Sequence, residues 1–504
     1  DDMEIWEKVD LERYLSSGGG LIIYDTEKTT PYAWHFRDSV LNFSLGEVPP
    51  DVIQIGNGKI RQIDHISTQD EIKYSLLDVI GENSYDYGKV TFPRAPNSNR
   101  FSKVILDDDI YEPMEMVVLP DLKVLFLERR GKMKLYDPYH KRTLTIAEFD
   151  VCIDGNYEDG LQGIALDPNY GKDNHWVYIY YSPSAKCDIP DQYLSRFTFK
   201  DDSIHWATEK VVLKVMVQRE QCCHSGGSVE FGPDGLLYLS TGDNTSSKES
   251  DGATPTDERP GRGPFDAQKS SSNTHDLRGK ILRIRPEADG TYSIPDGNLF
   301  PKDGSNGRPE IYAMGCRNPF RITIDKETNW LFWGDVGPDG GETNRYGTES
   351  FDEWNLAKEA GNFGWPYFTA TNIGYPDRNF ETDEVGEIQD PQNPINDSPN
   401  NFGSRELPPA KPAWIWYPYG ESKEFPLLGN GSRSAMAGPF YYMDDLLPLT
   451  EVAFPKYYEG KFFIFEWARS WIKVLTIDKE TGELLQMESF LPNMDISKPI
   501  ELEF

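Results

Sequence analysis

The residue most able to do chemistry in this chain is His224, set between the adjacent Cys222 and Cys223 and a small-residue turn, Ser225-Gly226-Gly227. Glycine allows close backbone approach or positive φ, and an imidazole titrates near neutral pH. A neutral His224 raised on such a turn can accept a proton from a substrate hydroxyl. Three other stretches carry functional groups on turns. Glu158-Asp159 precedes Gly160 and could bind metal or orient a sugar hydroxyl. Arg317-Asn318, braced by Pro319, offers a rigid fork of donors to carboxylate or quinone oxygens. Asp335-Val336-Gly337-Pro338-Asp339-Gly340-Gly341 bends in a way that exposes carbonyls, which calcium accepts as hard ligands. Near the C-terminus, Arg469 stands between Trp467 and Trp471. Each stretch alone also reads as ordinary structure: a loop cap, a solvated turn, an arginine paired with one of many acids.

A repeating framework must hold these groups. From Phe101 onward, turns rich in Asp, Pro or Gly alternate with short strands of aliphatic and aromatic residues. Pro120-Asp121 leads to 124–127, Asp167-Pro168 to 176–180, and Gly232-Pro233-Asp234-Gly235 to 236–239. The turn at 325–329 leads to 330–333, and Glu459-Gly460 to 462–465. Units of this kind bury their faces only against neighbours, and radial closure leaves few open edges. A β-propeller is the expected architecture, with a pair of β-sandwiches as the alternative. The polar stretches 244–272 and 374–409 read as long rim loops. Residues 1–95 read differently: a short helix at 11–15, glycines at 18–20 and an apolar strand at 21–24 suggest an α/β-like appendage. It is vaguely similar to a piece of a ThuA-type, class I amidotransferase-like domain but has no nucleophile motif. Residues 96–100 read as a linker to a second domain at 101–504.

Acids outnumber bases by 83 to 51, a formal charge of -32, which repels nucleic-acid backbones and anionic lipid and would attract a basic partner such as a cytochrome c. No apolar run is long enough to span a membrane, and no signal peptide is visible; periplasmic or extracellular placement is the expectation. Five cysteines in 504 residues do not make a disulfide scaffold. Cys222 and Cys223 could pair in an oxidising compartment or remain two buried thiols.

Taken in order, the motifs resemble the soluble glucose and sorbosone dehydrogenases, sugar oxidoreductases. The resemblance rests on 158–163, on Cys223-His224-Ser225-Gly226-Gly227 with Thr241-Gly242-Asp243, and on 277–284, Gly315-Cys316-Arg317-Asn318-Pro319, and Gly337-Pro338 with Asp352-Glu353 and 361–366. It covers roughly 101–485 and implies a six-bladed β-propeller that uses pyrroloquinoline quinone (PQQ) and Ca²⁺ to oxidise an aldose and passes electrons to a soluble acceptor. It implies His224 as the base at the C1 hydroxyl and Arg317 and Asn318 as quinone contacts. Gly337 and Pro338 fall on calcium-binding carbonyls, and Arg469 falls near the arginines that hold cofactor carboxylates. Cys222 and Cys223 are expected against the cofactor, and Glu158, Asp352 and Trp365 near the substrate. The chain departs from the family's glucose enzyme at Glu158 (glutamine there), at Cys223 (aspartate there) and over 434–441, where a cofactor-holding lysine is missing. Arg433 or Arg469 could take that lysine's place. Two other readings share the scaffold: a metal-using carbohydrate enzyme with His224 and Glu158 as base and acid and no quinone, and a non-catalytic sugar- or protein-binding propeller.

Overall fold

Each of the five aliphatic and aromatic segments that follow a turn becomes the second strand of a sheet: four of these sheets have four antiparallel strands, and the third has six, its short Gly361–Asn362 strand pairing in parallel. The second strands are Val124–Glu128, Trp176–Tyr181, Leu237–Thr241, Leu331–Asp335 and Phe462–Glu466. Their composition has a physical cause. A strand inside a blade is covered on both faces by neighbouring blades, so it carries apolar residues without alternation. Leu125, Leu127, Val177, Ile179, Leu237 and Ile464 are all fully buried.

The computed structural model describes residues 95–504 apart from 97, 154–157, 248–253 and 447–452, together with three strands nearer the N-terminus. The chain divides into two compact units, Asp1–Ala95 and Pro96–Phe504. In the first, Gly58–Ile63 pairs parallel with Gly20–Tyr24 and antiparallel with Val52–Ile55. The helix expected at 11–15 lies outside the described residues. The second unit is all-β, with only short 3-10 turns among its described residues.

Shared apolar clusters fix the order of the sheets. One joins Leu125, Leu135, Ile164 and Ile179, across the first and second; another joins Tyr180, Leu194, Leu239 and Leu282, across the second and third. Ile281 and Tyr312 meet Trp333 and Leu331 between the third and fourth, and Phe332 and Ile415 meet Ala437 and Ile464 between the fourth and fifth. The outer face of the fifth packs Phe101 and the C-terminal residues Ile500, Leu502 and Phe504. This is a propeller, with five such sheets among the described residues where six blades were expected. The long polar insertion makes no blade. Within it Pro376–Asn379 and Glu384–Ile388 form a separate two-stranded ribbon, and the tail beyond Phe490 supplies packing rings without strands. Both lack the apolar run that a doubly covered strand needs.

Cys152 and Cys187 are joined across 35 residues at the edge of the second sheet, a link that their scattered spacing did not reveal. Closing a loop of that length stabilises the fold by about 4 kcal/mol in the chain-entropy account. Cys187→Ser is therefore expected to lower the melting temperature in non-reducing calorimetry and to shrink the effect of added reductant on that transition to whatever the Cys222–Cys223 bond contributes.

Candidate active site

The loop carrying His224 runs into the first strand of the third blade, Val229–Phe231. It is laced to the segment after the second strand of the same blade: Cys223 N–H donates to Thr245 O and Asn244 N–H to His224 O, at 3.0 and 3.2 Å. Gly242 is what permits this approach, because a Cβ there would lie 2.1 Å from the His224 carbonyl oxygen. His224 itself holds φ of 56°, in the left-handed region that non-glycine residues seldom enter. The result is a buried imidazole whose Nδ1 lies 2.7 Å from Asp243 Oδ1.

Asp243 closes the Thr241-Gly242-Asp243 segment, and nothing in its local sequence marks it as the partner of the histidine. Its Oδ1 also accepts from Thr245 N–H and Oγ1, both at 2.9 Å, and its Oδ2 accepts from Trp365 Nε1 at 2.7 Å. Burial alone would raise its pKa. The His224 ring, the Arg317 charge and the Thr245 amide outweigh burial and hold the carboxyl below its ordinary value. An ionised Asp243 accepts the Nδ1 proton, which fixes the tautomer and leaves Nε2 as the basic nitrogen. Nε2 makes no hydrogen bond to the described residues.

Asp243 N–H donates to Arg317 O at 2.7 Å, which brings the arginine loop to the histidine loop. Asn318 Oδ1 accepts from Gly226 N–H at 3.1 Å, and Glu158 Oε2 accepts from both Ser225 N–H at 2.9 Å and Asn318 Nδ2 at 3.2 Å. His224, Glu158, Arg317 and Asn318, drawn from three blades, therefore form one network. Trp365 lies under the Arg317 guanidinium, 5.8 Å from ring centre to Cζ.

Asp335 anchors the same loop from below, accepting from the backbone N–H groups of Arg317 and Asn318 at 3.1 and 2.7 Å. Burial pushes its pKa up to about 8, and repulsion from its cross-strand neighbour Glu353 adds to this; burial likewise pushes Glu353 up to about 7. Both folded values exceed those of an unfolded chain, so their contribution to stability is lost as pH rises through them. The melting temperature is expected to fall between about pH 4 and pH 8, and Asp335→Asn to flatten that slope. An unchanged slope in the variant would reject the assignment.

Several expected contacts are placed elsewhere. Asp352 is buried, with Oδ1 accepting from Gly337 N–H and Oδ2 from Ala435 N–H at 3.0 and 3.1 Å, so it positions backbone rather than meeting a substrate. Trp365 spends its N–H on Asp243 and is buried, which makes it a support for the base and not a sugar platform. Arg469 donates to the carbonyls of Pro418, Leu428, Gly429, Gly431 and Ser432, leaving it no donor for a cofactor carboxylate. Cys222 and Cys223 are paired with each other, next to His224 in the chain.

The second guanidinium of the site is Arg433, buried and stacked 4.0 Å from the Tyr419 ring centre. Its Nη2 donates to Pro338 O at 2.5 Å and Ser350 Oγ at 2.8 Å, while Nε and Nη1 are buried with no hydrogen-bond partner among the described residues. Pro338 and Ser350 line a small open cleft shared with Thr254, Glu342, Tyr346 and Tyr375. Buried cationic donors lacking an acceptor suit an anionic, oxygen-rich ligand, and a quinone bearing carboxylates is such a group. Calcium does not fit in the same way. Arg317 Nη1 donates to Val336 O and Arg433 Nη2 to Pro338 O, so one guanidinium occupies one of the two carbonyls expected to hold the ion and a second sits on the carbonyl just before them. A dication needing six to eight oxygens at about 2.3–2.6 Å would face like charge there. The calcium cradle expected at Gly337 and Pro338 thus meets a guanidinium already seated on Pro338 O.

A family model described as Glucose / Sorbosone dehydrogenase matches residues 110–400. The HIPL2 protein of Arabidopsis thaliana is 34% identical over 164 residues, 30% of this chain and 20% of that protein. Quinoprotein glucose dehydrogenase B of Acinetobacter calcoaceticus is 26% identical over 309 residues, 59% of this chain and 59% of that protein. The chain thus spans less than two thirds of the length of either relative. The apo-form crystal structure of the soluble aldose sugar dehydrogenase of Escherichia coli covers 77% of this chain and 89% of its own at 19% identity, with a TM-score of 0.51, a likeness of fold.

Proposed function

The chain belongs to the glucose/sorbosone dehydrogenase family, and from that premise we propose that it oxidises a carbohydrate hydroxyl with pyrroloquinoline quinone. The observation that carries this reading is the His224–Asp243 pair tied through Arg317 O and Asn318 Oδ1 to a loop bearing a guanidinium. Bound quinone would supply the two-electron oxidant that takes a hydride from the carbon bearing the hydroxyl. The protein's part is proton and charge management. His224 Nε2 takes the hydroxyl proton as the carbon–oxygen bond becomes double, and Asp243 stabilises the imidazolium formed. Arg317 lies where it can offset negative charge developing on an oxygen-rich acceptor, and Arg433 would hold a carboxylate.

The electrons would pass to a soluble acceptor, and the charge of -32 favours a basic one such as a cytochrome c. The Cys152–Cys187 bond supports periplasmic or extracellular placement, and no helix among the described residues is long and apolar enough to cross a membrane. The test is dye reduction by the purified chain with added quinone and a panel of aldoses. Sugar-dependent reduction that requires the quinone is the expected result; quinone binding with no turnover of any aldose would reject the assignment.

A further inference from the structure

We infer that the guanidinium of Arg433 replaces a divalent cation in this site, so that an anionic cofactor is held here without calcium. The inference rests on the quinone reading above and extends it to the metal. Residues 336–338 turn through a tight bend in which Gly337 cannot be exchanged, since a Cβ there would lie 1.7 Å from Phe351 O. Arg433 Nη2 occupies Pro338 O, and its Nε lies 3.6 Å from Asp352 Oδ1. Asp352 in turn accepts from Gly337 N–H, so one buried carboxylate balances one buried guanidinium and fixes the bend.

A metal ion at this bend would draw in carbonyl oxygens and present positive charge to a ligand. Arg433 already does both. It binds a carbonyl of the bend, and of its remaining nitrogens Nε faces Asp352 Oδ1 at 3.6 Å while Nη1 is buried with no hydrogen-bond partner among the described residues. Arg317 repeats the arrangement one turn earlier at Val336 O. Buried donors of this kind are costly unless a ligand completes them. Two fixed cations, each seated on a carbonyl of one bend, give an oxyanion-holding surface that needs no exchangeable ion.

The experiment uses the full chain stripped with EGTA. Tryptophan quenching by pyrroloquinoline quinone is titrated in EGTA and in millimolar Ca²⁺, for the wild type and Arg433→Gln. The wild type is expected to bind with affinities that agree within about twofold in the two buffers, and the variant to bind about tenfold or more weakly in EGTA. Wild-type affinity that falls about tenfold in EGTA, or a variant that binds as the wild type does, would overturn the inference. Hydrogen–deuterium exchange with Ca²⁺ alone gives a second arm that involves no quinone. Amides of the 331–341 segment are expected to exchange equally with and without the ion, and calcium protection confined to that segment would sink the inference even if the quinone binds. Failure of the quinone to bind in either buffer would instead remove the functional reading, with the exchange arm still deciding the question of the metal.

Discussion

His224→Ala is expected to reduce turnover of the quinone-loaded protein by about a hundred- to ten-thousandfold while leaving quinone affinity within about twofold. The size follows from the role. Without a base the alcohol must lose its proton to water as the hydride departs. The side chain is buried and its Nδ1 is committed to Asp243, so no neighbouring group can rotate into its place. Glu158, the nearest alternative in sequence reasoning, spends Oε2 on Ser225 N–H and Asn318 Nδ2. Alanine also leaves a space the shape of a ring, so added imidazole is expected to restore part of the rate. Steady-state kinetics with and without imidazole, beside a quinone titration, checks both halves. Turnover within tenfold of wild type would mean that the proton leaves by another route.

The fold was legible to the extent that one strand type could be recognised. Second strands such as Val124–Glu128 and Phe462–Glu466 announce themselves because double coverage demands continuous apolar residues after a turn. Outer strands do not: Ser203–Met216, the fourth strand of the second blade, is largely exposed and carries no such run. Strand counting in the sequence therefore finds only second strands, five of them, and the number six comes from the family resemblance alone. The site was legible where a glycine turn flags a functional residue, as at His224 and Arg317-Asn318. It was illegible where the partner is chosen by tertiary contact. Arg433 and Arg469 sit on similar polar loops, yet folding wraps five carbonyls around one and leaves two nitrogens of the other with no hydrogen-bond partner among the described residues. Nothing in the local pattern separates them.

Asp243 shows the same limit and yields the sharper test. Its carboxylate receives four donors: His224 Nδ1, Thr245 N–H, Thr245 Oγ1 and Trp365 Nε1. Asp243→Asn keeps the shape and puts an NH₂ group against at least one of those donors. If the amide nitrogen faces the ring, His224 must turn Nδ1 into an acceptor and carry its proton on Nε2, where it blocks the base. If the amide nitrogen faces Trp365, the indole N–H is left buried against another donor. The first strips the base of its function and the second loosens the wall beneath Arg317. Turnover is expected to fall by about a hundred- to ten-thousandfold, with KM for the sugar changed by less than about threefold. Trp365→Phe, which removes one donor and leaves the tautomer alone, is expected to cost about tenfold or less. Kinetics of the two variants side by side separate orientation of the base from general packing. Equal losses in both would place Asp243 in the scaffold alone, because a purely structural carboxylate would be as sensitive to losing its indole donor as to losing its charge.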